Sequence, residues 1–220
     1  SASNDNVFSS NFIGGNTATA TGTWTNTGNT NVLGIYVNAG TVTISGNTIQ
    51  NIVNTAGTGG IGFVGIDIYG ATTPVISGNS IGGSGANLIN YNGGRSTFLG
   101  LATSVGFVVG VRSFTSSTLT VTNNTFGNLV SNTSPTASQC GTYVRGVDHQ
   151  GTGKFVITGN TMNGLSGRVN RPSYTTPPNE QNQAAIFVFN KSITATPVTD
   201  CEISNNAIYG PSNKNTTTKT

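Results

Sequence analysis

The amino-acid sequence predicts an all-β chain in which short strands stack in parallel, coil upon coil. Two observations support this prediction. A strand-like alternation of apolar and polar residues breaks at an asparagine and restarts at once, and the same break occurs six times. Charged residues make up only 7% of the chain, against about 25% in an ordinary soluble domain, so Thr, Ser and Asn must supply the polar surface.

The break is clearest over residues 41–52, TVTISGNTIQNI, where the alternation stops at Gly46 and Asn47. Equivalent segments are FSSNFI (8–13), ISGNSI (76–81), VTNNTF (121–126), ITGNTM (157–162) and ISNNAI (203–208). Their asparagines are spaced by 36, 32, 45, 36 and 46 residues, and they are Asn11, Asn47, Asn79, Asn124, Asn160 and Asn206. Intervals this irregular indicate a constant motif joined by loops of variable length.

Each segment has the pattern of a strand that ends in a corner. Its first residue is apolar and its second is Ser or Thr, as expected of a strand with one buried and one solvated face. Its third residue is Ser, Gly or Asn, types that enter the left-handed backbone region at low cost. One such residue turns the strand sharply, and the apolar residue two places after the asparagine then points inward again.

A second recurring segment precedes every break except the first: GIYV (34–37), GIDI (65–68), GVRS (110–113), GVDH (146–149) and AIFV (185–188). Each coil is therefore predicted to hold this Gly-Ile strand, the strand that ends at the corner, a third short strand and a loop. Parallel strands about 4.8 Å apart complete the hydrogen bonds that one coil leaves open. The prediction is a parallel β-solenoid of about five to six coils, with residues 1–210 as one domain and 211–220 as a polar tail.

These segments resemble the coils of the right-handed parallel β-helix in the pectin-lyase-like superfamily, of the bacterial surface-protein type, from Val7 to about Tyr209. The resemblance implies three parallel sheets per coil and a ladder of hydrogen-bonded asparagines at one turn. In-register amides of this kind are structural, as they are in cross-β ladders. The resemblance says little about function, because the same coils serve polysaccharide lyases and hydrolases, phage tailspikes and bacterial surface proteins.

The Gly-Ile strands bring one outward residue per coil into register: Tyr36, Asp67, Arg112, Asp148 and Phe187. The resemblance implies a substrate groove along this sheet, so Asp67, Arg112 and Asp148 are the candidate catalytic residues. Their two carboxylates would be about 9.6 Å apart at the backbone, near the upper limit of about 9.5 Å for inverting glycosidases. Arg112 between them would lower both carboxyl pKa values, whereas a general acid needs a raised one, and this favours a structural ladder of alternating charge.

Aromatic residues of the same outward parity form a candidate ligand-binding strip for sugar rings: Tyr36, Tyr69, Phe114, Phe187 and Phe189. The alternative is that long loops fold over this sheet and bury the rings. Residues 82–99, 131–142 and 167–183 are long enough to do so, and they are where partner-specific contacts are expected.

Other residue types that carry chemistry are sparse. The six acids are scattered, which argues against a calcium site and against the paired aspartates of polygalacturonases. His149 is the only histidine, and its parity directs it inward or to the coil edge, where a backbone hydrogen bond is expected. Cys140 and Cys201 permit one disulfide, and the alternative for Cys201 is a packed free thiol. We expect no metal and no cofactor.

The expected partners follow from charge and from the ends of the stack. Nine basic residues are spread along the chain without a run that could track phosphates, so nucleic acid is not expected. No apolar run approaches the roughly 18 residues of a membrane span. The strand edges at the ends of a solenoid recruit other chains unless they are capped. We expect further coils or domains of a longer polypeptide, or other protomers, at one or both ends.

The low charge and the scattered acids favour a structural or adhesive segment of a secreted bacterial cell-surface or filament protein, with glycan binding as an additional expectation. Such a protein would be extracellular or on the cell surface. The alternative is a polysaccharide lyase or hydrolase, or a tailspike-like depolymerase, that acts in the groove of Asp67, Arg112 and Asp148. Sequence alone leaves both functions open.

Overall fold

The computed structural model describes residues 5–28, 30–55, 62–83, 89–91, 107–131, 143–167, 184–188, 200–210 and 212–213. Within these residues all regular secondary structure is β-strand, and the strands form four sheets. Strands are numbered here in chain order. Neighbouring strands in each sheet run parallel.

The first sheet consists of the apolar-polar segments that precede the asparagines. Its strands, in spatial order, are β1 (Asp5–Ser9), β5 (Thr41–Ser45), β9 (Thr72–Ser77), β13 (Leu119–Thr122), β17 (Phe155–Thr158) and β21 (Glu202–Ser204). The second sheet begins directly after each asparagine. Its strands are β2 (Phe12–Ile13), β6 (Thr48–Ile49), β10 (Ser80–Ile81), β14 (Thr125–Gly127), β18 (Thr161–Asn163) and β22 (Ala207–Tyr209).

The third sheet is made of strands of two or three residues: β3 (Trp24–Asn26), β7 (Ile52–Asn54), β11 (Ile89–Tyr91), β15 (Leu129–Ser131), β19 (Ser166–Gly167) and β23 (Ser212–Asn213). The fourth sheet contains the Gly-Ile strands: β4 (Val32–Val37), β8 (Phe63–Ile68), β12 (Phe107–Ser113), β16 (Tyr143–His149) and β20 (Ala184–Val188). The chain visits the four sheets in this fixed order, and we call each such succession a repeat.

The expectation of three sheets is wrong, because the structure has four. The additional third sheet arises from a second corner in each repeat. Four residues after each ladder asparagine stands a glycine or asparagine with a positive φ: Gly15, Asn51, Gly83, Asn128, Gly164 and Gly210. This residue turns the chain a second time, and residues predicted to lie in the loop form a short strand.

The predicted first corner is confirmed in all six repeats. The residue before each ladder asparagine has a φ between 53° and 66°, and these residues are Ser10, Gly46, Gly78, Asn123, Gly159 and Asn205. A non-glycine residue in this region is uncommon, and asparagine is among the types that tolerate it best. Each two- or three-residue strand of the second sheet is therefore bounded by a left-handed residue on either side.

One hydrophobic core contains side chains from all four sheets. The first and second sheets contribute two fully buried columns, Ile44, Ile76, Val121 and Ile157, and Ile49, Ile81, Phe126 and Met162. The predicted inward parity is therefore confirmed for the inner repeats. In the outermost repeats Phe8 is 37% exposed and Ile203 is 51% exposed, because each has neighbours on one side only.

The six asparagines at the first corner form a continuous hydrogen-bonded stack. In each step the side-chain Nδ2 donates to Oδ1 of the next asparagine at 2.8–3.0 Å, and the backbone N–H donates to the same oxygen. The Nδ2 atoms of the inner four also reach backbone carbonyls, as Asn124 does with Ile76 and Thr122. Asn47, Asn79, Asn124 and Asn160 are at most 1% exposed, so this stack satisfies amides that would otherwise be buried without partners.

A column of glycines runs through the fourth sheet at Gly34, Gly65, Gly110 and Gly146. A Cβ added to any of them would lie 2.5–2.7 Å from a backbone carbonyl of the next strand and would also meet a side chain of the second sheet. The in-out alternation slips by one residue at this column. Phe63 and Ile66 both belong to the core although they are three residues apart, and Val108 and Val111 repeat the pattern.

Candidate functional site

The outer face of the fourth sheet holds the predicted column of charged and aromatic residues. Tyr36 aligns with Asp67, Asp67 with Arg112, Arg112 with Asp148, and Asp148 with Phe187. The predicted register is therefore confirmed. An outward position does not expose the two acids to solvent, since Asp67 is 3% exposed and Asp148 is fully buried.

Arg112 and Asp67 form a bidentate ion pair. Arg112 Nε donates to Asp67 Oδ1 at 3.0 Å and its Nη2 donates to Oδ2 at 2.7 Å. The guanidinium lies over two rings, 4.8 Å from the centre of Phe107 and 5.4 Å from that of Phe114. Burial lowers the pKa of Arg112, but the hydrogen bond and charge of Asp67 outweigh it, so the pKa is raised and the cation is retained.

Asp148 pairs with Arg145, a residue that sequence reasoning missed. Arg145 Nη1 donates to Asp148 Oδ2 at 3.0 Å, and Gln150 Nε2 donates to both carboxylate oxygens at 3.0 and 3.2 Å. The Arg145 guanidinium lies between two rings, 3.5 Å from the centre of Phe187 and 4.2 Å from that of Tyr143. The predicted ladder of alternating charge is present in register, with Arg112 between Asp67 and Asp148. Its contacts differ from a continuous ladder, because Arg112 bonds to Asp67 alone and Asp148 pairs with Arg145.

The phase slip at the glycine column explains why Arg145 was missed. Strict alternation places residues three apart on opposite faces of a strand, so Arg145 and Asp148 would not meet. Gly146 lies between them, and the slip at this column brings both side chains to the outer face. Val64 and Val109 occupy the same outward column as Arg145, where they form a small hydrophobic cluster with Phe107. The glycine that begins four of the five recurring segments is the sequence signal that could have revealed the phase slip.

Burial is the dominant influence on the Asp148 carboxyl. It raises the pKa of Asp148, and this effect exceeds the opposing effects of the Arg145 charge, the Gln150 hydrogen bond and the more distant Arg112. The expected lowering of this pKa by Arg112 is present, but burial outweighs it, so the net direction is opposite to the one expected. Burial costs the ionised form more than Arg145 stabilises it.

His149 faces away from this column and is 1% exposed. Its Nε2 lies 3.3 Å from the backbone carbonyl oxygen of Gly153, and its ring contacts the edge of Phe155. The expected buried histidine with a backbone hydrogen bond is confirmed. Burial lowers its pKa, and the Gly153 hydrogen bond and the Asp148 charge oppose this only in part.

The candidate aromatic strip divides into exposed and covered members. Tyr36 is 50% exposed and Tyr69 is 59% exposed, whereas Phe114 and Phe187 are half-buried. Tyr69 contacts Phe114 at 5.9 Å between ring centres, which links it to the Arg112 pair. Phe189 and most of the three long loops lie outside the described residues, so the expected covering of this sheet by those loops stays a prediction.

Other candidate features are few in the part of the chain that the structure describes. Those residues contain no group of three or more His, Cys, Asp and Glu side chains that could hold a metal. They also contain no helix long and apolar enough to cross a membrane. Cys201 is a half-buried free thiol, and Cys140, its predicted partner, lies outside the described residues.

Comparison with known proteins adds no functional assignment, because no family model, no curated protein and no solved structure matches this chain. The geometry of the outer face is therefore the basis for a functional proposal. Two buried ion pairs between aromatic rings are flanked on the same sheet by two exposed tyrosines.

Proposed function

We propose that this chain is a structural and adhesive segment of a secreted bacterial cell-surface or filament protein. In this proposal its four sheets close into a right-handed parallel β-helix of the pectin-lyase-like kind. The fixed order of the sheets and the core shared by all four support this closure. The uninterrupted asparagine stack supports a role in which mechanical and thermal persistence matters, because every repeat is tied to the next by side chain as well as backbone.

The observation that carries the functional proposal is the burial of both candidate catalytic acids in ion pairs. A general acid or base must come within hydrogen-bond reach of its substrate, about 2.6–3.2 Å. Asp148 is fully buried with its carboxylate occupied by Arg145 and Gln150, and Asp67 is held by both prongs of Arg112. These contacts support a structural role for the acids.

Glycan contact would instead be made by the exposed tyrosines of the same sheet. Tyr36 and Tyr69 belong to successive repeats, and their rings present apolar faces of the kind on which sugar rings stack. Phe114 supports Tyr69 from beside it. In the proposal this short strip contacts polysaccharide of a neighbouring cell or matrix, and further coils, domains or protomers extend the fibre at its ends.

Affinity electrophoresis against a panel of acidic and neutral polysaccharides tests the adhesive function. We expect retardation by at least one polysaccharide, loss of that retardation in Tyr69→Ala and Tyr36→Ala, and no new reducing ends or unsaturated products. Trp24→Ala is the matched control, because Trp24 is 41% exposed but lies on the third sheet. Equal loss of binding in the Trp24 variant would contradict the assignment of glycan contact to the tyrosines, and no retardation by any polysaccharide would contradict the adhesive function.

The second candidate is a polysaccharide lyase, hydrolase or tailspike-like depolymerase. One observation favours it: burial raises the pKa of Asp148, and a general acid requires a raised pKa. In that case Asp148 would protonate the leaving oxygen and Asp67 would act as the base across the sheet. Turnover of a polysaccharide that is abolished by Asp148→Asn, with folding intact, would establish this candidate and overturn the structural one.

A further inference from the structure

Within the described residues, the first repeat has an unpaired strand edge beside an apolar groove. Among the described strands, β4 pairs with β8 alone, so its other edge has no neighbour. A groove of about 350 Å³ adjoins this edge and is lined by Phe8, Asn11, Phe12, Ile13, and Gly34 to Tyr36. Phe8 is 37% exposed, whereas its equivalents in the inner repeats, such as Ile44, are fully buried. Phe12 is 54% exposed and adds a second apolar side chain to the groove.

The glycine column shows what kind of strand fits at this edge. Each glycine of the fourth sheet lies against a second-sheet side chain: Gly34 against Ile49, Gly65 against Ile81, Gly110 against Phe126 and Gly146 against Met162. Ile13 heads that side-chain column through its pairing with Ile49. Ile13 lines the groove. A strand added at the free edge of β4 would place one residue against Ile13, and the residue at the equivalent position of the inner repeats is a glycine.

The backbone contact between neighbouring strands also requires a glycine at this position. A Cβ on Gly34 would lie 2.5 Å from the carbonyl oxygen of Gly65, and each later glycine has the same relation to the strand after it. By the same geometry, a strand placed on the free edge of β4 would bring its own residue at this position against the carbonyl of Gly34. Glycine fits there, whereas a β-branched residue would force the two strands apart.

We propose that the free edge of β4 and the adjoining groove form a docking site for one extended strand of a partner polypeptide. The strand runs parallel to β4, places a glycine over Ile13, and follows it with an apolar residue that enters the groove beside Phe8 and Ile35. The site continues a strand-to-strand interface that the fourth sheet already forms four times. This inference goes beyond the adhesive function and requires no glycan contact.

A fluorescent peptide that copies residues 62–70, GFVGIDIYG, is the probe, because it carries the Gly-Ile pattern of β8. We expect saturable binding to the 220-residue chain by fluorescence anisotropy. The same peptide with Gly65→Val should bind at least about tenfold more weakly, a difference of about 1.4 kcal/mol. Equal affinities for the two peptides, or no binding of either at millimolar concentration, would overturn the proposal.

A pair of protein variants locates the site. Ile13 and Ile208 are the two terminal residues of one side-chain column in the second sheet, and Ile13 alone adjoins β4. Ile13→Arg should therefore abolish peptide binding, and Ile208→Arg should leave it unchanged. Loss of binding in both variants, or in the Ile208 variant alone, would overturn the assignment to β4. Circular dichroism checks folding, and the two peptides keep the test decisive if Ile13→Arg does not fold. Tyr36 lines the groove but Tyr69 does not, so Tyr69→Ala is the variant that separates the two functions: it should weaken glycan binding and leave peptide binding unchanged.

Discussion

Buried polar groups find their hydrogen-bond partners in opposite ways at two places in the molecule. One is the corner between the first and second sheets, and the other is the outer face of the fourth sheet. At the corner every repeat supplies the same residue, and Oδ1 of each buried asparagine accepts from the asparagine before it. On the outer face neighbouring repeats supply different residue types, and each ion pair has its own geometry. Repetition thus specifies the stack, while departures from repetition produce the ion pairs on the outer face of the fourth sheet.

The largest effect is expected from removing an inner rung of the asparagine stack. Asn124→Leu removes the oxygen that accepts two hydrogen bonds from Asn79, and the amide nitrogen whose two hydrogens are shared among three carbonyl oxygens. At about 1 kcal/mol for each of these four donated hydrogens, the free energy of unfolding should fall by about 4 kcal/mol. Urea denaturation followed by circular dichroism measures it.

Asn11→Leu is the matched control for the stack. Asn11 is exposed at the end of the asparagine stack. Its replacement leaves Asn47 Oδ1 without one donor, but it leaves no buried donor without an acceptor. We expect a loss of at most about 1 kcal/mol. Similar losses in the two variants would show that the stack contributes nothing beyond the strands themselves.

The corner could be predicted from sequence because it repeats. Six aligned segments revealed the parity of Ile44 and its equivalents, the left-handed residue at Gly46 and the stacking of Asn47. The second corner repeats at Asn51 and its equivalents, but it lies beyond the six-residue motif that ends at Ile49, so that motif does not predict it. The pattern extends to eight residues, with glycine or asparagine four places after the ladder asparagine.

The outer face could be predicted only in part, because its contacts depend on a phase slip and on burial. Register followed from aligning the Gly-Ile segments, so the column from Tyr36 to Phe187 was found. Strict alternation would place Arg145 on the opposite face from Asp148, so the ion pair between them was not predicted. Burial of Asp67 and Asp148 could not be read from parity, since an outward position in a strand is not necessarily a solvated one.

The second-largest effect is expected on the outer face. Arg145→Met leaves the Asp148 carboxylate buried without its cation, and breaking such a pair typically costs about 3–5 kcal/mol. We expect about 3 kcal/mol in urea denaturation, because Gln150 continues to donate to Asp148. Arg112→Met should cost less, since the Arg112 side chain retains 16% exposure and water can reach the site.

A double variant separates the ion pair from simple packing. Arg145 Nε has no hydrogen-bond partner among the described residues, so the pair is incompletely satisfied. Replacing both charges with apolar residues is often neutral or stabilising. Arg145→Met with Asp148→Leu should therefore recover most of the stability lost in Arg145→Met. A double variant as unstable as the single one would mean that the guanidinium acts through its contacts with Phe187 and Tyr143 instead.

A smaller effect is expected from pH. The pKa of His149 is lowered by burial from its ordinary value of 6.5, so the unfolded chain binds a proton more readily than the folded one just below pH 6.5. Stability from this group is fully present above pH 6.5 and is lost as pH falls through the folded-state pKa. The difference in unfolding free energy between pH 7.5 and 5.0 should shrink in His149→Gln.

Asp148 contributes with the opposite sign and must be separated from His149. Its pKa is raised from 3.8, so its contribution to stability is present below that value and is lost as pH rises through the folded-state pKa. Repeating the two-pH comparison in the Asp148→Asn background removes this opposing contribution. A His149→Gln variant that shows the same pH dependence as its parent in both backgrounds would mean that His149 does not titrate differently in the folded state.

The smallest effect is expected at the first corner, where conformation can be tested apart from contacts. Gly78 has a φ of 62°, and a Cβ added there would meet nothing within 4 Å. Gly78→Ala should therefore cost only the left-handed conformation, about 1–2 kcal/mol. Gly78→Asn should cost a few tenths of that, roughly 0.3 kcal/mol, because asparagine tolerates this region and already occupies the equivalent positions at Asn123 and Asn205. Thermal or urea unfolding of the two variants measures the difference. Equal losses would indicate that the corner is limited by space rather than by backbone preference, and the recurrence of glycine and asparagine there would then need a different explanation.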